Sequence, residues 1–246
     1  MFQYVILGII QGVTEFLPVS SSAHLIILQK LLGLSGNELE ISVVLHLGTC
    51  LALIIFFFKD ILKLLKDMRL LFLIAVVSVI TGIIGVSGKD FFEGLFSSLE
   101  LVSITLLITG AILLSTRKFL QGKRKDLNVK DACILGITQA IAIIPGISRS
   151  GITISTLLFR KVDRELSFRF SFLASIPAVL GAALLEARKM DLAVSTNGAN
   201  FFAGFIFSLL FGIFSLWFLR KILIRAKFYY FGYYCILVGI LVLLLK

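Results

Sequence analysis

Two short stretches carry nearly all of the residues able to do chemistry. The first is Gln11-Gly12-Val13-Thr14-Glu15-Phe16-Leu17-Pro18-Val19-Ser20-Ser21-Ser22-Ala23-His24. The second is Pro145-Gly146-Ile147-Ser148-Arg149-Ser150-Gly151-Ile152-Thr153. Gln11 and Glu15 are four apart, so a helix puts them on one face. After Pro18, the serines can cap a new helix, with His24 one turn inside it. The first turn of that helix offers free backbone N–H groups and the positive end of the helix dipole, a ready anion site. The second stretch repeats the build of break, serine cap and helix start. It adds Arg149, whose forked, permanent charge suits phosphate. Two helix N-termini, one arginine and several hydroxyls describe an oxyanion site. Glu15 would repel a bare anion, and a divalent cation bridging carboxylate and phosphate resolves that conflict.

Both stretches lie inside apolar sequence. The chain has 246 residues, 59% hydrophobic and only 15% charged, with 23 Phe. Its mean hydropathy is +1.05. A soluble domain carries about a quarter charged residues. This composition excludes a disordered chain, a disulfide scaffold and nearly every soluble enzyme fold, and it predicts a multi-span membrane protein. Cys50, Cys133 and Cys235 all sit in apolar segments with no CxxC pairing, so they read as small buried hydrophobes. The first apolar stretch lacks a basic flank and runs into the polar motif, so it is not expected to be a cleaved signal.

Six segments are apolar enough, or nearly so, to cross a bilayer: 41–58, 70–86, 101–116, 170–186, 201–219 and 229–245. Two others, 4–33 and 132–158, are broken by Pro and Ser and read as re-entrant hairpins. Irregular backbone at membrane depth survives only where protein buries it or it lines a wet cavity. The loops 59–69, 117–130, 159–169 and 220–227 hold 18 of the 24 Lys and Arg. Six crossings and two hairpins put all four loops on one face, the cytoplasm, with both termini outside. That clustering accounts for the formal net charge of +10 without nucleic acid.

Leu7-Gly8-Ile9-Ile10-Gln11-Gly12 is echoed by Leu135-Gly136-Ile137-Thr138-Gln139-Ala140, 128 residues later. Each copy leads into an apolar-Pro pair, a Ser-rich turn and three crossings. The expected fold is therefore an all-α integral membrane protein. It has six transmembrane helices and two re-entrant helical hairpins in an inverted-topology repeat. The single membrane domain, 1–246, divides into halves of about 1–125 and 126–246, whose polar groups meet near the midplane. An intramembrane carboxylate is a functional candidate by default. His46, in Leu45-His46-Leu47-Gly48-Thr49, lies near the start of a span and could support it.

The Gln11–His24 run closely resembles the first signature of the undecaprenyl-diphosphate phosphatase family, the bacitracin-resistance type. Pro145–Gly151 resembles the second signature. Phe170–Pro177 and the His46–Thr49 patch are also similar to that family. The resemblance covers nearly the whole chain. It implies hydrolysis of the terminal phosphate of a C55 isoprenyl diphosphate, recycling the lipid carrier for cell-wall polymer synthesis and giving bacitracin resistance. By position it implies Glu15, Ser21, His24 and Arg149 as catalytic residues. Ser20, Ser22, Ser148, Ser150, Gly146, Gly151 and Thr153 are the expected substrate-binding set. Mg²⁺ or Ca²⁺ would sit on Glu15, with Gln11 as a second ligand. Gln11 stands where the family motif allows Glu or Gln, so a second carboxylate is missing. Ser22-Ala23 replaces a more usual pair that includes Gly. The implied partners are the isoprenyl diphosphate, membrane lipids and a second copy of the chain in a homodimer. The implied setting is the plasma membrane with the site open to the outer face. The sequence leaves the nucleophile open among Ser21, His24 and water. Its rival function is a lipid-phosphate transporter or flippase using the same midplane anion site, since inverted repeats with broken helices also build transporters.

Overall fold

The computed structural model describes residues 1–32, 38–95, 98–187 and 198–244. Arg188, Lys189 and Lys246, part of the charge pattern above, lie outside the described residues. The first broken segment forms α1 (Phe2–Phe16) and α2 (Ser21–Leu32). The second forms α8 (Val129–Ile141) and α9 (Arg149–Phe159). Between them lie α3 (Glu38–Phe56), α4 (Phe58–Leu64), α5 (Met68–Ser87), α6 (Lys89–Leu95) and α7 (Leu99–Ser115). After them come α10 (Arg164–Ala187), α11 (Gly198–Ile224) and α12 (Tyr230–Leu244). Among the described residues there is no strand, only one isolated parallel bridge between Arg124 and Val162. The protein is all-α, as expected.

Among the described residues, four helices are long and apolar enough to cross a bilayer: α5, α7 with the turn that continues it to Lys118, α10 and α11. The α3–α4 pair makes a fifth if its 68° bend is counted within one span. α1 and α12 are shorter apolar helices. The protein is thus a multi-pass helical membrane protein. α4 fills part of the region read from sequence as a plain basic loop. Its exposed Phe58 and Leu62, beside Lys59 and Lys63, explain why the helix continues at an angle instead of unwinding.

The helices pack through small residues, as expected where lipid removes the hydrophobic drive for association. α1 lies on α11, and a Cβ at Gly12 would come within 2.6 Å of the Ser208 carbonyl oxygen. Ser215 Oγ donates to the Gly12 carbonyl at 2.8 Å across the same seam. α8 lies on α5, where Thr81 Oγ1 donates to the Gly136 carbonyl at 3.1 Å. α7 and α12 pair around Gly110 and Gly232. The first helix of one broken segment, α1, thus packs on α11, and the first helix of the other, α8, packs on α5.

At the basic end of the molecule, Asp131 ties both legs of the second hairpin together. It is fully buried in the first turn of α8, outside the apolar stretch. Arg124 grips it with two bonds, 2.7 and 2.8 Å, and Arg160, just past α9, donates from Nε. The backbone N–H of Asn128 adds a third donor group at 3.0 Å. Burial alone would raise the Asp131 carboxyl. The Arg124 and Arg160 bonds, with the Asn128 N–H, outweigh it and hold the group down at about 2, against a usual value of 3.8. A depressed carboxylate contributes stability above its unfolded value and loses it as pH falls through the folded one. That contribution is present at neutral pH and is lost as pH falls from 3.8 towards about 2. Asp131→Asn should lower the thermal midpoint in detergent at pH 6, and the gap from wild type should shrink towards pH 3. A gap independent of pH would rule out the charge as its cause.

Candidate active site

The two hairpin tips meet. α1 ends at Phe16 because Pro18 forces Leu17 into extended backbone, with φ −65° and ψ 147°. The chain turns through Ser20, which takes φ 68°, and α2 begins at Ser21. That serine cap is the one the sequence suggests: Ser20 Oγ accepts from the Ala23 N–H at 3.4 Å. In the second tip, Gly146 takes φ 90°, and a Cβ there would collide with Thr105 Oγ1. Only glycine fits that turn. Ser148 then caps α9, accepting from the Gly151 N–H at 3.2 Å.

α7 grips the second tip with two threonines one turn apart. Thr105 Oγ1 donates to the Pro145 carbonyl at 2.6 Å, and Thr109 Oγ1 donates to the Gly146 carbonyl at 3.0 Å. The tips are joined by the Gly146 N–H, which donates to Ser22 Oγ at 3.4 Å.

Glu15 is the hub. Arg149 Nη2 donates to its Oε1 at 2.7 Å across the tip interface. Ser21 Oγ donates to its Oε2 at 2.7 Å, and Gln11 Nε2 donates to the same oxygen at 3.2 Å. His46 Nε2 stands 3.8 Å from that oxygen, while its Nδ1 donates to the Ser42 carbonyl at 2.9 Å. The structure therefore brings Gln11, Glu15, Ser21 and Arg149 into one cluster with His46 at its edge. His24 is in the same tip but turned elsewhere. Its Nδ1 lies 2.7 Å from the Ser20 carbonyl and its Nε2 2.7 Å from the Tyr234 hydroxyl. The remaining hydroxyls serve largely inside the fold. Ser20 pairs with Ser22, Ser148 with Ser150, and Thr153 Oγ1 bonds the Arg149 carbonyl and Ser171.

A carboxylate hydrogen-bonded to a serine hydroxyl and to an arginine at one spot is an arrangement for activating an oxygen nucleophile next to an anion. Known proteins share this chain's sequence along nearly its full length. The profile of the family described as bacitracin resistance protein BacA matches residues 4–241. The chain belongs to the BacA family. A protein named undecaprenyl-diphosphatase from Carboxydothermus hydrogenoformans is 42% identical over 253 residues, covering 100% of this chain and 97% of that protein. One of the same name from Halothermothrix orenii is 41% identical over 256 residues, covering 100% and 98%. Another from Thermotoga petrophila is 40% identical over 238 residues, covering 96% and 97%.

For this BacA-family member, sequence reading missed Thr105, Thr109 and Tyr234. Thr105 and Thr109 share one face of a helix, a spacing visible in the sequence, but many apolar spans carry such pairs. Tyr234 gave no signal, because its partner is 210 residues away.

The residues present fit a cation that the substrate completes. Gln11 Oε1 is fully buried and has no hydrogen-bond partner among the described residues. The amide turns its Nε2 to Glu15, and reversing it would present this oxygen beside the carboxylate as a neutral donor. No cluster of three or more His, Cys, Asp or Glu able to hold a metal occurs among the described residues. One carboxylate, one amide oxygen and substrate phosphates match the way Mg²⁺ is held, not a closed protein cage.

Proposed function

We propose that this protein hydrolyses undecaprenyl diphosphate to undecaprenyl phosphate and inorganic phosphate, recycling the lipid carrier for cell-wall polymer synthesis. The observation that carries the mechanism is Glu15 shared between the Ser21 hydroxyl and the Arg149 guanidinium. Ser21 Oγ attacks the terminal phosphorus while its proton passes to Glu15 Oε2. The bridging P–O bond breaks and the lipid phosphate leaves as an anion. Water then attacks the phosphoserine: its oxygen joins phosphorus as the Ser21 Oγ–P bond breaks, one water proton passes to Ser21 Oγ, the other leaves on the inorganic phosphate, and Glu15 releases its proton to solvent. Arg149 and the N–H groups at the starts of α2 and α9 hold the diphosphate and the charge that develops on it. Glu15 and Gln11 would hold Mg²⁺ or Ca²⁺, which supplies charge neutralisation between carboxylate and phosphate. Ser21 is assigned as nucleophile over His24 because it alone of the two is bonded to Glu15.

The reading extends to placement. Six crossings and two re-entrant hairpins form an inverted repeat with halves of about 1–125 and 126–246, in the plasma membrane with the site open to the outer face. The swapped pairing of α1 with α11 and of α8 with α5 supports the two halves. The four basic loops support the orientation.

The test is phosphate release from C55 isoprenyl diphosphate by detergent-purified protein. Turnover with Mg²⁺ is expected, lost with EDTA and restored by added metal. Ser21→Ala should reduce kcat by about 10³-fold or more. A rate for Ser21→Ala within tenfold of wild type would assign the attack to another group.

A further inference from the structure

We propose that Tyr234 is a positioning residue for this reaction, acting through His24 to hold the strained Ser20 turn that aims Ser21 at Glu15. The proposal rests on the hydrolase reading above and adds a residue from the far end of the chain to it.

The geometry forms an unbroken line. Ser20 occupies the left-handed region at φ 68°, a conformation that costs a non-glycine residue free energy unless its surroundings hold it. The Ser20 carbonyl can only accept a hydrogen bond, so the His24 nitrogen 2.7 Å away, Nδ1, carries a proton and donates. In the neutral ring that leaves Nε2 as a lone pair. The Tyr234 hydroxyl, 2.7 Å from Nε2, donates to it. The phenol and imidazole planes are 6° from parallel with centroids 5.7 Å apart, so the hydroxyl approaches Nε2 close to the ring plane, along its lone pair. The two hydrogen bonds, one at each nitrogen, fix the imidazole in one orientation and one tautomer.

α12 is itself anchored at this point. The next residue, Cys235, is buried and its Sγ donates to the Pro18 carbonyl at 3.4 Å. Consecutive residues of α12 thus hold the two ends of the segment Pro18–His24. Between those ends stand Ser20, which carries the strain, and Ser21, which carries the reactive oxygen. The line Tyr234 to His24 to Ser20 to Ser21 crosses from the last helix to the first hairpin. In this arrangement both imidazole nitrogens are occupied, so His24 orients the turn and does not contact Glu15.

The experiment joins kinetics to spectroscopy. The chain has 2 His, so imidazole ¹⁵N labelling gives two rings, told apart with His46→Gln. In Tyr234→Phe the ring stays and only the hydroxyl is lost. The His24 Nε2 resonance should move towards the value of a free lone pair, while the His46 resonances stay in place. The kcat for phosphate release should fall about three- to tenfold, the worth of one neutral hydrogen bond, with KM unchanged. In a His24→Gln background, Tyr234→Phe should have no further effect. Equal falls in both backgrounds, or an unmoved Nε2 resonance, would overturn the proposal. Absence of wild-type turnover would instead overturn the hydrolase reading on which it rests, whatever the spectra show.

Discussion

Glu15→Gln should abolish most phosphate release even at saturating metal and substrate. The substitution preserves size and keeps one oxygen able to accept from Arg149 or Ser21. It removes the negative charge and the ability to take a proton. In the structure, Glu15 Oε2 accepts from Ser21 at 2.7 Å, so Gln leaves that hydroxyl without a base. Loss of a positioned general base costs about 10²–10⁴ in rate. We expect kcat to fall about 10³-fold. KM reports two opposed changes: the metal loses its charged ligand, and the carboxylate that now neutralises Arg149 at 2.7 Å is gone. The guanidinium is then freer to bind the anionic diphosphate. A kcat that stays collapsed at saturating metal and substrate separates a catalytic Glu15 from one that only binds. Steady-state phosphate release with equilibrium binding of the lipid diphosphate reads both rate and affinity. A kcat within tenfold of wild type would remove Glu15 from the chemistry.

The architecture around that carboxylate was largely legible in the sequence, for definite reasons. The four-residue spacing of Gln11 and Glu15 placed both on one helix face, and the two side chains are hydrogen-bonded at 3.2 Å. Pro18 and Pro145 with Gly146 marked the breaks, and the serines after them marked the starts of α2 and α9. The six apolar segments correspond to α3, α5, α7, α10, α11 and α12, with ends displaced by a few residues. Such features are local, and local chemistry writes itself into spacing. The facing of the long helices was not legible. Helices apolar on all sides lack the polar stripe that tells a buried face from a lipid-facing one. So Gly12 against Ser208, Thr105 against Pro145 and Tyr234 against His24 had to come from the structure. The same limit applied to His46. Its type and position hinted at the site, but only the fold shows its Nε2 at 3.8 Å from Glu15. The separate role of Ser21 and His24 also needed coordinates, since both lie in the same short motif and only their bonds distinguish them.

The second large effect concerns Arg149, where charge and shape can be separated. Its described hydrogen bond uses Nη2 alone, on Glu15. The second Nη2 hydrogen and the Nη1 and Nε donors are left for a phosphate, at the start of α9 where the helix dipole already favours an anion. Arg149→Lys keeps the charge but reduces the fork to a point donor. We expect kcat/KM to fall about 10²-fold, the scale for losing one preorganised donor to developing charge. Arg149→Ala should cost more, about 10³-fold or beyond, because it also leaves the Glu15 carboxylate buried without its cation. That second component is a stability effect and can be removed independently. In the double variant Glu15→Gln with Arg149→Ala, the buried charge is absent, so the thermal midpoint should recover relative to Arg149→Ala. Activity should not recover with it. Midpoint and rate moving in opposite directions would show that the pair holds the two hairpin tips together in the resting protein and separates into two catalytic roles when the diphosphate arrives. Recovery of both would make the ion pair a structural rivet and move phosphate recognition to the helix N-termini alone.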